Sequence, residues 1–304
     1  MHTLFPAAAA SACLLLAAPA LAEDLPSLGE AEVVSEGHLG LEGPVAAPGG
    51  TILFSDVSAK KVLRFDPETG ETSVVDPESG GANGLGFAGD ALVRCEGESR
   101  RVTLTRPPGA EPVVLVDAFE GDAFNTPNDL IVLPDGSGLF FTDPRYGDRH
   151  TMQMDTEGVY ALGSPLVEGM EATRVVGDLT RPNGVTISAD GATVYVADEG
   201  ERVIHAYRVV PGVDGGAPGL ADGRVFADVF AYGNPDGMAT DRSGRLYVAL
   251  FETGKLLVLS PEGEPLSLTD AGERTSNVCL DLDEEHAYVT AGGSLLRFRI
   301  DAAE

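Results

Sequence analysis

The sequence predicts an all-β fold, a six-bladed β-propeller in which each blade has four strands. One unit of sequence occurs six times, with start points 41 to 55 residues apart, and this is the length of a propeller blade. Short strand-like runs whose side chains alternate with period two follow each start point and are separated by turn residues. Each unit also opens with a side chain that carries an oxygen. These six residues, called the heads here, are Glu42, Asn83, Asn128, Asn183, Asp236 and Asn277.

The strands predicted after the heads are short and alternate with period two. In the first copy they cover 51–55, 61–65 and 71–75, and in the second 92–95, 101–105 and 112–116. In the fourth copy they cover 184–188, 193–197, 202–209 and 224–229, and in the fifth 246–250, 255–259 and 265–268. Two copies are longer than the others. The glycine-rich residues 211–223 are predicted as a surface loop, whereas the apolar and aromatic loop 144–154 is a candidate binding loop.

The sixth copy lacks one strand. After the strand-like stretches 277–282 and 287–290 only 294–300 remains before the chain ends. Residues 30–35, which precede the first copy, read as a strand with no copy of their own. We expect this segment to pair as the outer strand of the sixth blade, so that an N-terminal strand closes the ring and leaves no open sheet edge there.

The first residues are typical of a secretory signal peptide, residues 1–22. They contain the apolar run 7–16 and end in Ala20-Leu21-Ala22, which fits a cleavage site of the A-x-A type. The apolar run is too short to span a bilayer. We therefore expect an exported protein, periplasmic or secreted, in which residues 23–304 form a single six-bladed propeller domain.

Cysteine usage and charge restrict the expected chemistry further. Cys95 and Cys279 lie in the second and sixth copies, which are not neighbours in a ring of six, so we expect two buried free thiols. The net charge of −28 at pH 7 disfavours nucleic acid and anionic membrane surfaces as partners, because both would be repelled. A small molecule is the expected partner, and the oligomeric state is left open.

The heads predict a metal site. Equivalent positions of successive blades point to one place in a ring, and six oxygen-bearing side chains with no base among them suit a hard cation. Calcium fits best because it accepts irregular geometry and amide oxygens, with zinc, manganese or magnesium as alternatives. The competing interpretation is that Asn-Gly and Asp-Gly are ordinary turn dipeptides. Six such residues in register favour the metal site.

One divalent ion held by four of the heads would keep positions open for water and substrate. These metal ligands are Glu42, Asn128, Asn183 and Asp236. Asp236 is the predicted catalytic residue, which takes a proton from water or attacks directly. The sequence contains no G-x-S-x-G nucleophile elbow, no P-loop and no histidine cluster for zinc. His150, in the loop 144–154, is a further candidate pocket residue.

Six motifs resemble the gluconolactonase/regucalcin-like six-bladed propellers, and the resemblance extends over nearly all of residues 23–304. They are Glu42-Gly43-Pro44, Ser99-Arg100-Arg101-Val102, Thr126-Pro127-Asn128-Asp129-Leu130, Phe141-Thr142-Asp143-Pro144-Arg145-Tyr146-Gly147, Arg181-Pro182-Asn183-Gly184 and Pro235-Asp236-Gly237-Met238. The resemblance implies a divalent metal at the four ligands above, Asp236 as general base, and Asn128 as an additional substrate contact. It also implies hydrolysis of a sugar-acid lactone to an aldonate.

The chain departs from the regucalcin-type pattern at Thr126, where that branch has a sugar-binding arginine. The loop that contains Arg145 and Tyr146 is similar instead to the bacterial gluconolactonase branch, and both residues are predicted substrate contacts. Two other functions share the predicted site. One is phosphotriester hydrolysis, since propellers similar to diisopropyl fluorophosphatase have the same Glu/Asn/Asn/Asp set. The other is a non-catalytic propeller that binds calcium structurally.

Overall fold

The structure is a computed structural model that describes residues 28–146 and 148–300. Its first strand, β1 (Glu32–Glu36), belongs to the last blade. Blade 1 contains β2 (Leu41–Ala46), β3 (Ile52–Asp56), β4 (Lys61–Asp66) and β5 (Glu71–Asp76). Blade 2 contains β6 (Ala82–Ala88), β7 (Ala91–Glu96), β8 (Arg101–Thr105) and β9 (Val113–Val116). A two-stranded hairpin, β10 (Ala118–Phe119) and β11 (Asp122–Ala123), follows it.

The remaining blades repeat the same antiparallel meander. Blade 3 contains β12 (Leu130–Val132), β13 (Leu139–Asp143), β14 (Gly158–Leu162) and β15 (Thr173–Val176), with a 3-10 helix at Arg149–Thr151. Blade 4 contains β16 (Pro182–Ile187), β17 (Thr193–Asp198), β18 (Val203–Val210) and β19 (Gly219–Asp228). Blade 5 contains β20 (Pro235–Thr240), β21 (Leu246–Leu250), β22 (Lys255–Leu259) and β23 (Pro265–Asp270). Blade 6 contains β24 (Thr275–Leu280), β25 (His286–Ala291), β26 (Ser294–Arg299) and β1.

The innermost strands form the closed ring that the sequence predicts. Each of β2, β6, β12, β16 and β20 packs against the inner strand of the next blade, and β24 packs back against β2. The outer edge of blade 6 is covered as expected, because β1 pairs antiparallel with β26, Val33 lying opposite Leu296. An ion pair between Glu32 and Arg297, 2.6 Å apart, lies on the same pair of strands. The six-bladed propeller with four-stranded blades is confirmed.

The core consists of apolar layers between neighbouring blades, and the period-two alternation of the strands builds them. On β17, Val194 and Val196 pack in the cluster shared with blade 3. Their neighbours Tyr195 and Ala197 pack in the cluster shared with blade 5. A second strand of this kind is buried on both faces, because side chains point alternately to its two sides. This is why the alternation in the sequence is between two sets of apolar residues.

Several smaller expectations have different outcomes. Cys95 and Cys279 are buried and free, as expected. The predicted loop 211–223 is shorter than expected, because β18 runs to Val210 and β19 begins at Gly219. The signal peptide predicted at 1–22 lies outside the described residues. Across residues 28–146 and 148–300, the structure contains no helix with the length and apolarity needed to cross a membrane.

Candidate active site at the centre of the ring

The inner strands place one side chain of each blade at the centre of the ring. In five of the six inner strands the pairing with the second strand is interrupted by a β-bulge at the head, as between Pro235 and Met238. A bulge turns the side chain out of the ladder. The glycine after the head then allows the next blade to approach closely. A Cβ added at Gly184 would overlap the backbone carbonyl oxygen of Asp236.

The pairing register moves the sixth head by one residue. Thr275 lies opposite Ala291 and Val278 opposite Val289, which is the spacing seen for Pro235 and Met238 in blade 5. The residue equivalent to Asp236 is therefore Ser276, and Asn277 occupies the position that is glycine in blade 5. This corrects the assignment of Asn277 as the head of the sixth copy.

The heads surround one cavity of about 330 Å³, called the hub cavity here. A volume of this size is within the range of small-molecule sites. Its walls also include residues that directly follow the second strands, such as Val57, Glu199, Phe251 and Gly292. The head positions that line it are Glu42, Asn83, Asn128, Asn183, Asp236 and Ser276. The structure thus brings together all four predicted metal ligands, which are far apart in the chain.

Two of these ligands are carboxylates with no cationic side chain beside them. Asp236 is 8% exposed, and neither Asp236 nor Glu42 forms an ion pair with any described residue. Burial, and then the charge of Glu42, raises the pKa of Asp236 well above its ordinary value. Burial, and then the charge of Asp129, raises the pKa of Glu42. Such a pair is costly in the protein alone and favourable around a cation.

The donor set fits a hard divalent cation. It combines two carboxylates with the amides of Asn128 and Asn183, and oxygen donors of this kind suit calcium. The Oδ1 atom of Asn83, in the same cavity wall, is buried with no hydrogen-bond partner. Within residues 28–146 and 148–300 there is no metal-holding group of three or more His, Cys, Asp and Glu side chains. The candidate metal site contains only two such residues, Glu42 and Asp236, and its other two ligands are the amides of Asn128 and Asn183.

Asp129 and Asn277 form a polar layer next to the heads that the sequence did not reveal. Asp129 is buried and accepts backbone hydrogen bonds from Leu130 at 2.9 Å and from Val185 at 3.3 Å. Burial raises the pKa of Asp129 to about 6. The side-chain amide of Asn277 lies 3.5 Å from the Oε2 atom of Glu42. Asn277 therefore contacts the head Glu42 directly, whereas Asp129 holds the inner strand of blade 4 two residues after the head Asn183.

Two further buried carboxylates, Asp143 and Asp198, hold the segments that lead into the heads. Asp143, at the end of β13, accepts the backbone N–H groups of Asn125 at 2.8 Å and Thr126 at 2.6 Å. Asp198, at the end of β17, accepts the backbone N–H of Thr180 at 2.9 Å. Burial raises the pKa of Asp143 to about 7. These bonds fix the backbone segments that lead into the heads Asn128 and Asn183, so rigid strands position both heads.

The predicted substrate contacts have different placements. Tyr146 lines the hub cavity, and its hydroxyl is buried without a hydrogen bond of good geometry. Burial, together with the charges of Asp236 and Glu199, raises the pKa of Tyr146 well above its ordinary value, so the hydroxyl remains a neutral donor. Arg145 is not brought to the cavity wall. Its guanidinium instead bonds to Thr126 Oγ1 at 3.2 Å and to the carbonyl of Asp148 at 3.3 Å.

The remaining candidate in that loop, His150, is exposed and does not line the cavity. Its backbone N–H donates to the Asp148 carboxylate at 3.0 Å, at the start of the 3-10 helix. The loop therefore contributes Tyr146 to the cavity, while Arg145 and the 3-10 helix stabilise the loop itself.

Comparison with known proteins agrees with this arrangement. The family described as SMP-30/Gluconolactonase/LRE-like region matches residues 41–293, a span that includes every inner strand and all six head positions. The chain belongs to this family.

Individual relatives of this family member are moderately similar. The chain is 27% identical over 299 residues to a gluconolactonase of Zymomonas mobilis, covering 88% of this chain and 80% of that protein. A gluconolactonase structure from Xanthomonas campestris has a TM-score of 0.78 at 29% identity and covers 95% of this chain and 99% of its own. A calcium-binding regucalcin from Agrobacterium tumefaciens has a TM-score of 0.70 at 19% identity, covering 88% and 92%, and shows the shared fold.

Proposed function

We propose that this SMP-30/gluconolactonase family member is a divalent-metal-dependent hydrolase that opens a sugar-acid lactone, of the gluconolactone type, to the aldonate. The observation that carries the proposal is the meeting of Glu42, Asn128, Asn183 and Asp236 in one cavity. The lactone as substrate class is supported by the activity named for the Zymomonas mobilis and Xanthomonas campestris relatives. The metal and the residue roles are supported by the chemistry of the donor set.

Glu42, Asn128, Asn183 and Asp236 would hold one divalent cation, with calcium the best fit to their oxygen atoms. When bound, the cation supplies Lewis acidity toward the ester carbonyl and lowers the pKa of a water molecule. The chain supplies the orientation. Asn277 contacts Glu42, and Asp129 fixes the strand that follows Asn183. The amide nitrogens of Asn128 and Asn183 would donate hydrogen bonds to substrate oxygens.

Asp236 is the group that moves the proton. Its carboxylate accepts a proton from the attacking water as the water oxygen bonds to the lactone carbonyl carbon. The ester C–O bond then breaks, and Asp236 returns the proton to the ring oxygen, which becomes the hydroxyl of the open chain. The new carboxyl group ionises to the aldonate. In the protein without metal, burial and then the charge of Glu42 raise the pKa of Asp236, and a bound cation would oppose this shift and keep the carboxylate ionised.

Tyr146→Phe is expected to lower kcat/KM for lactone hydrolysis by about tenfold, the effect of losing one hydrogen bond to substrate. The hydroxyl is neutral and makes no hydrogen bond of good geometry, although the Glu199 carboxylate is nearby, so it can turn to a substrate oxygen in the cavity. Initial rates over a range of lactone concentrations measure the effect. Tyr232→Phe is a matched control, because the Tyr232 hydroxyl is also buried without a partner but the residue does not line the hub cavity. Equal losses in both variants would contradict the assignment.

The proposed function is tested with a panel of lactones and one phosphotriester. We expect the purified protein to hydrolyse glucono-, galactono- or xylono-lactone faster than homoserine lactone. The rate is measured from the release of protons at constant pH. A sugar lactone has hydroxyls to fill the polar cavity, which homoserine lactone lacks. Hydrolysis of the phosphotriester alone would replace the lactonase by the phosphotriesterase alternative. Calcium binding without any turnover would favour the non-catalytic propeller.

A further inference from the structure

Two arginines occupy the same position in different blades. Arg181 and Arg274 each lie two residues before the head of their blade, and both have left-handed backbones, with φ of 65° and 58°. The backbone carbonyl of Arg181 accepts the N–H of Glu199 at 3.2 Å, and that of Arg274 accepts the N–H of Gly292 at 3.1 Å. The two arginines are therefore structural equivalents, and so are Glu199 and Gly292.

The two guanidinium groups differ in their surroundings. Arg181 Nη1 lies 3.1 Å from Glu199 Oε1, so the charge of Arg181 is paired. Gly292 stands where Glu199 would be and has no side chain. Within the described chain, Arg274 has no ion pair and no side-chain hydrogen bond, and its guanidinium lies 5.5 Å from the centre of the Phe251 ring. With glycine in place of glutamate, the exposed Arg274 side chain lacks the ion pair that Arg181 forms in blade 4.

This charge is at the mouth of the hub cavity. Among the described residues that line the cavity, Arg274 is the only one with a positive charge. The inner strands follow one another in order around the ring, so blade 6 is opposite blade 3. Arg274 comes from blade 6 and Tyr146 from the loop of blade 3, and the Tyr146 hydroxyl lies near Glu199 of blade 4 and Asp236 of blade 5. Both side chains border the cavity that the heads surround.

We propose that Arg274 binds an anionic group of the substrate, so that the preferred lactone carries a carboxylate, phosphate or sulfonate away from its ester bond. The guanidinium presents several N–H donors in one plane, which matches the oxygens of such groups. Phe251 holds that plane by a cation–π contact. The lactone part of this inference rests on the proposed function, whereas the anion-binding part rests on Arg274 alone.

The acidic residues of the cavity do not cancel this preference. Glu199 is paired with Arg181, and Glu42 and Asp236 belong to the proposed metal site, where a divalent cation balances them. Glu252, Asp270 and Glu273 line a neighbouring hollow together with Arg274, but none of them lines the hub cavity. Glu252 and Asp270 are moreover paired with Arg202 and Lys255. Within the hub cavity, the charge that faces a substrate substituent at the wall of blade 6 is then that of Arg274. A neutral substituent would leave the guanidinium without a strong acceptor. The site would therefore discriminate between substrates with an anionic substituent and substrates with a neutral one.

Binding of inert ligands tests the anion site without requiring hydrolysis. Glucitol and glucitol 6-phosphate differ only in the anionic group, and titration calorimetry compares them in the calcium-loaded protein. We expect the phosphate to bind about tenfold or more tightly, from one charge-assisted contact, and Arg274→Gln to abolish that difference. Arg208→Gln, which removes an equal charge from a surface pair with Asp222 on the outer strands of blade 4, should preserve it. No preference in the wild type, or a preference that survives Arg274→Gln, would overturn the proposal.

Kinetics then connect the site to the reaction. We expect Arg274→Gln to lower kcat/KM for 6-phosphogluconolactone by about 10- to 100-fold and to change kcat/KM for gluconolactone by less than about twofold. Equal losses for the two lactones would show a general structural effect and overturn the specificity role. The 6-sulfonate and 6-carboxylate analogues identify which anion fits best. If neither lactone is hydrolysed but the binding preference holds, the lactonase proposal fails and the anion site remains.

Discussion

Asp236→Asn is expected to lower kcat/KM for lactone hydrolysis by about a thousandfold, in the middle of the range for loss of a general base. The asparagine keeps the shape of the side chain and one oxygen for the metal, but its amide cannot accept a proton at neutral pH. The loss should appear mainly in kcat, because the proton transfer occurs in the transition state and contributes little to ground-state binding. Steady-state rates for the best lactone of the panel measure it.

Two further measurements separate catalysis from structure in this variant. Measured in excess calcium, thermal unfolding and metal content by elemental analysis should remain near those of the wild type. The side-chain oxygen is retained, and the excess calcium offsets the weaker affinity that follows from the lost charge. Asp135→Asn is a suitable control, because Asp135 lies in the exposed turn between β12 and β13 and bonds only to Ser137. Near-wild-type turnover in Asp236→Asn would remove Asp236 from the mechanism, and equal loss in Asp135→Asn would point to a nonspecific effect.

The ring could be predicted from the sequence because it depends on repetition. Six copies of similar length leave few architectures open, and the strand missing from the sixth copy has one obvious source in residues 30–35. The same logic failed at Ser276. A serine does not resemble the Asn and Asp heads, whereas Asn277 does, so the sequence alone favoured the wrong residue by one position. The pairing of Thr275 with Ala291 settles the register.

The cavity walls were harder to predict than the heads. Tyr146 was identified from its loop, but the direction of its neighbour Arg145 depends on bonds to Thr126 and Asp148 that no local pattern indicates. Glu199 and Arg274 were missed entirely. A signal for both existed, since the six copies can be aligned two residues before the head and directly after the second strand. The first of these alignment columns contains Arg181 and Arg274. The second contains Glu199, which pairs with Arg181, and Gly292, which offers Arg274 no partner.

Removal of divalent metal is expected to abolish turnover, and calcium is expected to restore it best. The protein supplies two uncompensated carboxylates at one point, Glu42 and Asp236, with raised pKa values caused first by burial. Without the cation the ester carbonyl would lose its Lewis acid, and the lactone would react slowly. Dialysis against EDTA followed by addition of calcium, magnesium, manganese or zinc measures the order of recovery. EDTA saturated with calcium beforehand is the control, since it should have no effect.

The same metal should stabilise the fold, and this readout is independent of catalysis. Taking away a ligand present at about 100 times its Kd is expected to lower Tm by about 5 °C or more in a domain of this size. The stabilisation comes from a link between blades. Glu42 belongs to blade 1 and Asp236 to blade 5, and a shared cation would connect their inner strands, which are otherwise joined through blade 6. Glu42→Gln should reduce both the shift in Tm and the affinity for calcium, since one of the two charges is lost. Full activity in protein that elemental analysis shows to be metal-free would place the reaction at another site. An unchanged Tm after metal removal would mean that the charges of Glu42 and Asp236 are balanced without a cation.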